Sequence, residues 1–250
     1  MTPSRSVLVE ARRLDGWLER FQARNGPFGA QALPERADGS VTVTAANGCI
    51  AVLTPPLPPG TIPGPVPGGG SRRAEDGSAG GAVEAPGDAG LIADLLSAVD
   101  PTITVGLLLI RRGGYSVGVA RDGGIVASKT GTRYVQGRTA AGGWSQQRFA
   151  RRRANQADAL VEETAARAAA LFAAHPPSCL QLGGDRTLAT GTLGEAALSR
   201  FAGLPRVPFL TVPDPRFAVL KEAARTALSI RITVTDPPAE SVDPAPGADS

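Results

Sequence analysis

Residues 102–128 read TITVGLLLIRRGGYSVGVARDGGIVAS, and the punctuation of this stretch decides the fold. A buried strand is expected from Thr102 to Ile110. Gly113-Gly114 turns the chain into a second strand, Tyr115 to Ala120, and Asp122-Gly123 turns it again into a third, Ile125 to Ser128. Three short runs of apolar and β-favouring residues with a turn signal at each corner make an antiparallel meander. Beyond it the period changes. A glycine-rich basic loop, Gly131 to Ser145, leads into a long helix from about Gln146 to Ala174. The helix carries Phe149, Ala157, Leu160, Val161, Ala165, Ala168, Leu171 and Phe172 as one apolar stripe, and His175-Pro176-Pro177 ends it. A strand (Cys179 to Leu182), a helix (about Leu188 to Arg200), a strand (Pro208 to Val212), a helix (about Arg216 to Leu228) and a strand (Ile230 to Val234) come next. A meander succeeded by alternating helices and strands gives an α/β fold, a mixed sheet with helices on both faces. The order fits an RNase H-like arrangement.

Upstream, Leu14, Trp17, Leu18 and Phe21 have helical spacing, and Asn25-Gly26-Pro27 supplies a stop. Val41 to Thr44 and Cys49 to Leu53 read as a hairpin around Asn47-Gly48. Residues 1–54 therefore form a small N-terminal α+β unit, too short for a secure core of its own and expected to pack on the main domain. Residues 55–90 hold eight prolines and ten glycines, half of the stretch. Such a composition cannot bury enough apolar surface to offset ordering, so it reads as a disordered linker. Residues 91–235 form the main domain, and 236–250, with four prolines and four acids, a disordered tail.

Composition removes several function classes. Two cysteines, Cys49 and Cys179, stand far apart, which excludes a disulfide scaffold or zinc knuckle. One histidine, His175, leaves no His-rich metal site. The longest strongly apolar run, Ile103 to Ile110, is far short of the roughly 20 residues that span a bilayer, and Val7-Leu8-Val9 is too short for a signal-peptide core. A soluble, cytoplasmic protein is expected, with no membrane partner. No cofactor and no metal are implied.

The net charge of +3 hides its distribution. Between Gly123 and Ala157 lie Lys129, Arg133, Arg138, Arg148, Arg151, Arg152 and Arg153 with no acid among them, leaving the rest of the chain at −4. A basic block in an otherwise acidic chain points to a polyanion, although a bare run of charge is more often a solvated helix face. Arginine outnumbers lysine there, and planar guanidinium suits bidentate phosphate contacts.

Chemistry narrows by elimination. A two-metal nuclease needs carboxylates converging from strand ends, and the three meander strands contain no acid; Asp122 in a turn and Asp185 after a later strand do not make such a site. A Ser or Cys nucleophile needs a base. His175 reads as a helix-end dipole partner, and Cys179 as a small core residue. Gly183-Gly184-Asp185 lacks the Lys-Ser/Thr of a phosphate loop and reads as a tight turn. What remains is Gly142-Gly143-Trp144-Ser145-Gln146-Gln147, directly before the arginine-bearing helix. Glycines permit close backbone approach, and a helix start presents free N–H groups. Glutamine is no general base, but its amide orients water, and N–H groups stabilise an oxyanion. That suits a substrate already activated.

The stretch from Lys129-Thr130-Gly131-Thr132-Arg133-Tyr134-Val135 through Gly142-Gly143-Trp144-Ser145-Gln146-Gln147 to Arg151-Arg152-Arg153-Ala154-Asn155-Gln156-Ala157 resembles the actinobacterial Vms-like release factors. These are peptidyl-tRNA hydrolases related to the catalytic domain of the eukaryotic and archaeal release factor. The resemblance is strongest over about 100–235. It implies that Gly143-Trp144-Ser145-Gln146 is the Gly-x-x-Gln segment that enters the peptidyl transferase centre of the large ribosomal subunit. There the glutamine helps water attack the ester of peptidyl-tRNA. Standard release factors carry Gly-Gly-Gln without a gap; here two residues intervene, and Gln147 stands beside Gln146 as a second candidate. The resemblance further implies that the terminal ribose hydroxyl of the tRNA shuttles the proton. Lys129, Arg133, Arg138, Arg148 and Arg151–Arg153 would then hold rRNA or the tRNA acceptor end through phosphates. Trp144 either stacks on a base or packs on its own domain. With no length for decoding and GTPase-binding domains, codon-independent release from stalled, split large subunits is the expectation. The rivals are a non-catalytic ribosome- or RNA-binding module of the same fold, and hydrolysis of free peptidyl-tRNA.

Overall fold

The computed structural model describes residues 4–33, 35–61, 87–97, 99–100, 102–132 and 144–237, with side chains in 144–154 left aside. In chain order the elements are β1 (Ser4–Val9), α1 (Leu14–Asn25), β2 (Phe28–Ala32), β3 (Val41–Ala45), β4 (Ile50–Thr54), α2 (Asp88–Ser97), β5 (Val105–Arg111), β6 (Gly114–Arg121), β7 (Gly124–Thr132), α3 (Trp144–Ala174), β8 (Cys179–Gly184), α4 (Arg186–Gly194), α5 (Phe217–Thr226) and β9 (Ile230–Thr235). A 3₁₀ turn, Ala11–Arg13, precedes α1, and another, Ala196–Phe201, comes after α4.

The strands form two sheets. The first is antiparallel throughout, in the order β1-β9-β4-β3-β2. Alternation gives it one buried face: Val41, Val43 and Ala45 on β3, Ala51 and Leu53 on β4, and Ile230, Ile232 and Val234 on β9. Leu14, Leu18 and Phe21 of α1 cover that face, joined by Leu95 of α2. Asn47-Gly48 turns β3 into β4 as its sequence demands, Gly48 taking the left-handed φ of +82°.

Three expectations are corrected here. Strand 230–234, expected in the main domain, is hydrogen-bonded between β1 and β4 of the first sheet. Helix α2, which lies at the start of the region 91–235 expected as the main domain, packs on β2 and β3 of the first sheet instead. Both ends of the expected linker, 55–90, hold ordered structure. Pro55, Pro56 and Leu57 are buried, Leu57 within the core of the second sheet, and α2 already starts at Asp88. Residues 62–86, like 238–250 of the expected tail, lie outside the described residues. The small unit thus borrows a strand and a helix to close the core that its own length could not supply.

The second sheet runs β7-β6-β5-β8, with β5, β6 and β7 antiparallel and β8 parallel to β5. The meander turns as read: Asp122 and Gly123 both have positive φ, 51° and 71°, the signature of a two-residue hairpin turn. Helices cover both faces. Leu108 and Ile110 of β5 with Tyr115, Val117 and Val119 of β6 meet Leu160, Ala165, Ala168 and Phe172 of α3, and α4 joins them. Val105, Leu107 and Leu109 face Leu220, Ala223 and Ala224 of α5 on the other side. Gly106 is required because a Cβ there would sit 2.9 Å from the Phe172 ring and 2.8 Å from Leu180.

Residues 208–212 do not make the expected strand. Only two isolated parallel bridges form alongside β8, Leu180 to Arg206 and Gly183 to Leu210. The two bridges are three residues apart on β8 and four apart on the facing segment, so an extra residue interrupts the ladder. The buried Gln181 amide compensates by donating from Nε2 to the Pro208 carbonyl at 2.6 Å. The helix expected over 188–200 is likewise divided, since Glu195 adopts an extended backbone (φ −63°, ψ 143°) between α4 and the 3₁₀ turn.

Candidate functional site

The residues singled out by the sequence lie on β7, on the connection after it and on the first turns of α3, and the end of β7 and the start of α3 are described. β7 is longer than expected, reaching Thr132, so the glycine-rich segment begins as strand. Gly131 lies directly over the Tyr115 ring; a Cβ on it would stand 2.5 Å from Cε1 and 2.8 Å from the phenol oxygen. A Cβ on Gly114 would strike the Gly131 carbonyl. On the opposite face of β6, the Ser116 hydroxyl donates to the Pro215 carbonyl at 2.6 Å and meets the Thr130 hydroxyl at 2.8 Å. The strand that feeds the loop is therefore held from both sides.

Tyr115 is buried beneath α3, and its hydroxyl donates to Glu163 Oε1 at 3.1 Å. Burial raises the phenol above its ordinary pKa; the Glu163 carboxylate adds to the rise, and the Arg167 guanidinium opposes it. Tyr115 and Glu163 escaped the sequence reading. The available signal was an aromatic placed immediately after Gly113-Gly114, together with an acid interrupting the stripe of α3 between Leu160 and Ala165.

α3 is 31 residues long, and among its described side chains Leu160 is the first that is buried. The helix preceding Leu160 measures about 24 Å at 1.5 Å per residue. Trp144, Ser145, Gln146 and Gln147 form the first turn of this helix, whose N–H groups have no intrahelical acceptor. Gln146 was expected to open the helix, and the start falls two residues earlier. Arg148, Arg151 and Arg152 stand at i, i+3 and i+4 along the backbone, with Arg153 next to them. Lys129 is exposed on β7 opposite Val117, hence on the face of the sheet that α3 covers. Arg133, Arg138, Gly142 and Gly143 lie outside the described residues, as do the side chains of Trp144, Gln146, Gln147, Arg148 and Arg151–Arg153.

Asp185, Gly184 and the two cysteines occupy structural positions. Asp185 caps α4, its Oδ1 accepting from the Thr187 and Leu188 amides at 3.0 and 3.1 Å. Gly184 has φ +97°, and a Cβ there would collide with the Ile110 carbonyl. Cys179 is fully buried, its thiol pushed up to about 12 by burial alone, and Cys49 is buried in the first core. His175 is exposed just past the end of α3. Among the described residues no three His, Cys, Asp or Glu side chains gather as a metal site, and no helix is long and apolar enough to cross a membrane.

A mixed sheet between two helical layers, with a basic, glycine-rich connection feeding its longest helix, defines an α/β protein whose distinctive part is the β7–α3 junction. Residues 103–233 match the sequence model of the family described as Actinobacteria/chloroflexi VLRF1 release factor. The match takes in just over half of the chain, and the protein belongs to that family, the Vms-like release factors. No curated protein matches. Among solved structures, one described as "Archaeal protein" is 13% identical over 87% of this chain and 70% of its own, with a TM-score of 0.27, a likeness that carries no argument.

Proposed function

We propose that the protein is a codon-independent peptidyl-tRNA hydrolase that frees nascent chains from stalled large ribosomal subunits. The observation that carries this reading is the family match across residues 103–233, which spans the whole β7–α3 connection. The strand order β7-β6-β5-β8, continued by the two bridges beside β8, supports an RNase H-like sheet as the platform.

In this reading Gly142 and Gly143 let the backbone pass close to the tRNA end, and Gln146, with Gln147 beside it, orients one water at the ester carbonyl. The amide is a positioning group, not a base. An acyl ester to a ribose is intrinsically labile, so fixing one water in an attack geometry supplies much of the acceleration. Water adds to the carbonyl, its proton is relayed through the neighbouring terminal ribose hydroxyl to the leaving ribose oxygen, and the C–O bond to that oxygen breaks, giving the peptide acid and a free tRNA end. The free N–H groups of the first turn of α3 favour the developing oxyanion. Lys129, Arg133, Arg138, Arg148 and Arg151–Arg153 provide the phosphate contacts and Trp144 a stacking surface. The length of α3 ahead of Leu160 suits delivery of its first turn into a deep, RNA-walled cavity.

The test is a release assay on purified large subunits carrying peptidyl-tRNA. Wild type should free the peptide, and Gln146→Ala should abolish release while leaving subunit binding intact. Full release by Gln146→Ala/Gln147→Ala would refute the mechanism. Salt-sensitive binding without turnover by wild type would establish a binding module instead, and equal rates on free and subunit-bound substrate would remove the ribosome from the reaction.

A further inference from the structure

The first turn of α3 can present Gln146 in one place only if α3 is fixed against β7. We propose that Tyr115 and Glu163 form a positioning clamp for the first turn of α3, which bears Gln146, by tying that helix to the end of β7. The inference rests on the function proposed above and names two residues of the same site.

Tyr115 touches the end of β7 and α3 at once. Its ring packs under Gly131, one residue before the end of β7, at a distance that tolerates no side chain. Its hydroxyl reaches Glu163 on α3 at 3.1 Å. Arg167 stands one helical turn beyond Glu163 on α3. The purely apolar contacts of α3 with the sheet, Leu160, Ala165, Ala168 and Phe172, resist separation but permit sliding and rolling, because dispersion and the hydrophobic effect are non-directional. The Tyr115–Glu163 hydrogen bond is directional and lies near the start of the buried part of the helix. Gln146 is 17 residues further toward the N-terminus, about 26 Å along the axis. At that lever length a tilt of the helix axis by about 3° moves the first turn by more than 1 Å, and a misplacement of that size can cost about 100-fold in rate. Ser116 and Thr130 brace the same strand from the other face, so loss of the clamp should free α3 rather than β7.

The experiment measures single-turnover peptide release from large subunits bearing peptidyl-tRNA, alongside subunit affinity, for wild type, Tyr115→Phe, Glu163→Ala, Glu163→Gln and the Tyr115→Phe/Glu163→Ala double variant. Tyr115→Phe keeps the buried ring and removes only the hydroxyl. Release should slow about tenfold in Tyr115→Phe and in Glu163→Ala with affinity unchanged. Glu163→Gln, still an acceptor, should stay within about threefold of wild type. The double variant should be no slower than the worse single one. Tyr115→Phe releasing at the wild-type rate while wild type is active would overturn the clamp and leave the function standing. Multiplying losses in the double variant, or slowing matched by an equal fall in affinity, would overturn it as well. No release by wild type would refute the function and the clamp together. Should Glu163→Ala fail to fold, the Tyr115→Phe rate and its affinity alone decide.

Discussion

Pairing of the C-terminal strand with the first sheet is the least local feature of this fold, and a double-mutant cycle tests it. Ile232 on β9 is in register with Leu53 on β4, and both are fully buried in the first core. Ile232→Ala deletes three buried carbons, about 2.4 kcal/mol at 0.8 per methylene. A residual cavity of about 40 Å³ adds about 1 kcal/mol, for a total near 3. Leu53→Ala should cost about the same. Because the two side chains face each other across the ladder, part of each loss is the same contact, and the double variant should lose about 5 kcal/mol, a coupling near 1. Urea unfolding in a Trp144→Phe background leaves Trp17 as the sole indole. Trp17 stacks on Phe21 at 5.2 Å in the first core, so its emission reports that core. With a slope of about 2 kcal/mol per molar, each single variant should lower the midpoint by about 1.5 M. Losses that add within about 0.3 kcal/mol would refute the pairing, since side chains in different sheets would not couple.

Three further outcomes are expected from the geometry. Asp185→Ala removes the acceptor for two amides at the start of α4 and should lower stability by about 1 kcal/mol in denaturant titration, whereas Asp185→Asn should recover most of it. Neither Cys49 nor Cys179 should react with a thiol-specific disulfide reagent in the native protein, because both are buried and both thiols are raised, Cys179 to about 12; both should react fully in urea. Glu10, whose carboxyl is held below its ordinary 4.5 chiefly by its hydrogen bond from Arg12, with Arg225 adding to it, contributes stability that is present above that value and lost as pH falls through the lowered one. The melting-temperature gap between wild type and Glu10→Gln should therefore close on acidification below pH 4.5, and a gap that widens would contradict the ion pair.

Local features were legible in the sequence because local rules produce them. The spacing of Leu14, Leu18 and Phe21 marks the buried face of α1, and Gly48, Asp122 and Gly123 take the left-handed backbone that the turns at Asn47-Gly48 and Asp122-Gly123 use. The stripe of α3 is buried at Leu160, Ala165, Ala168 and Phe172. What was not legible depends on partners distant in sequence. β1, at the edge of its sheet, is exposed along nearly its whole length, so alternation leaves no trace in Ser4–Val9. β2 holds glycine, glutamine and small residues, with Ala30 its one buried position. For β9 the strand was readable and the sheet was not, since alternate burial of Ile230, Ile232 and Val234 suits either core. Residues 208–212 have β-favouring side chains, but an extra residue between the bridges at Arg206 and Leu210 interrupts the pairing with β8. At the candidate site the sequence offered residue types, Gln146, Gln147 and the arginines. It gave no view of Tyr115 reaching Glu163, a contact between a strand start and the middle of a helix.

The route of the chain ties the two sheets together mechanically. It leaves the first sheet after β4, builds the second, and returns through α5 and a connection of only Ala227, Leu228 and Ser229 to β9. Leu228 packs against the cores of both sheets, and Arg225 at the end of α5 bonds Glu10 beside β1 at 2.8 Å. The region that matches the release-factor family, 103–233, therefore ends inside a strand whose neighbours, β1 and β4, both lie outside it. A fragment confined to that region would expose the buried face of β9 and both of its hydrogen-bonding edges, which is a template for aggregation. The N-terminal unit is thus a structural requirement of the family region whatever else it contacts. It anchors α5, α5 covers one face of the second sheet, and the other face of that sheet carries the helix whose first turn bears Gln146.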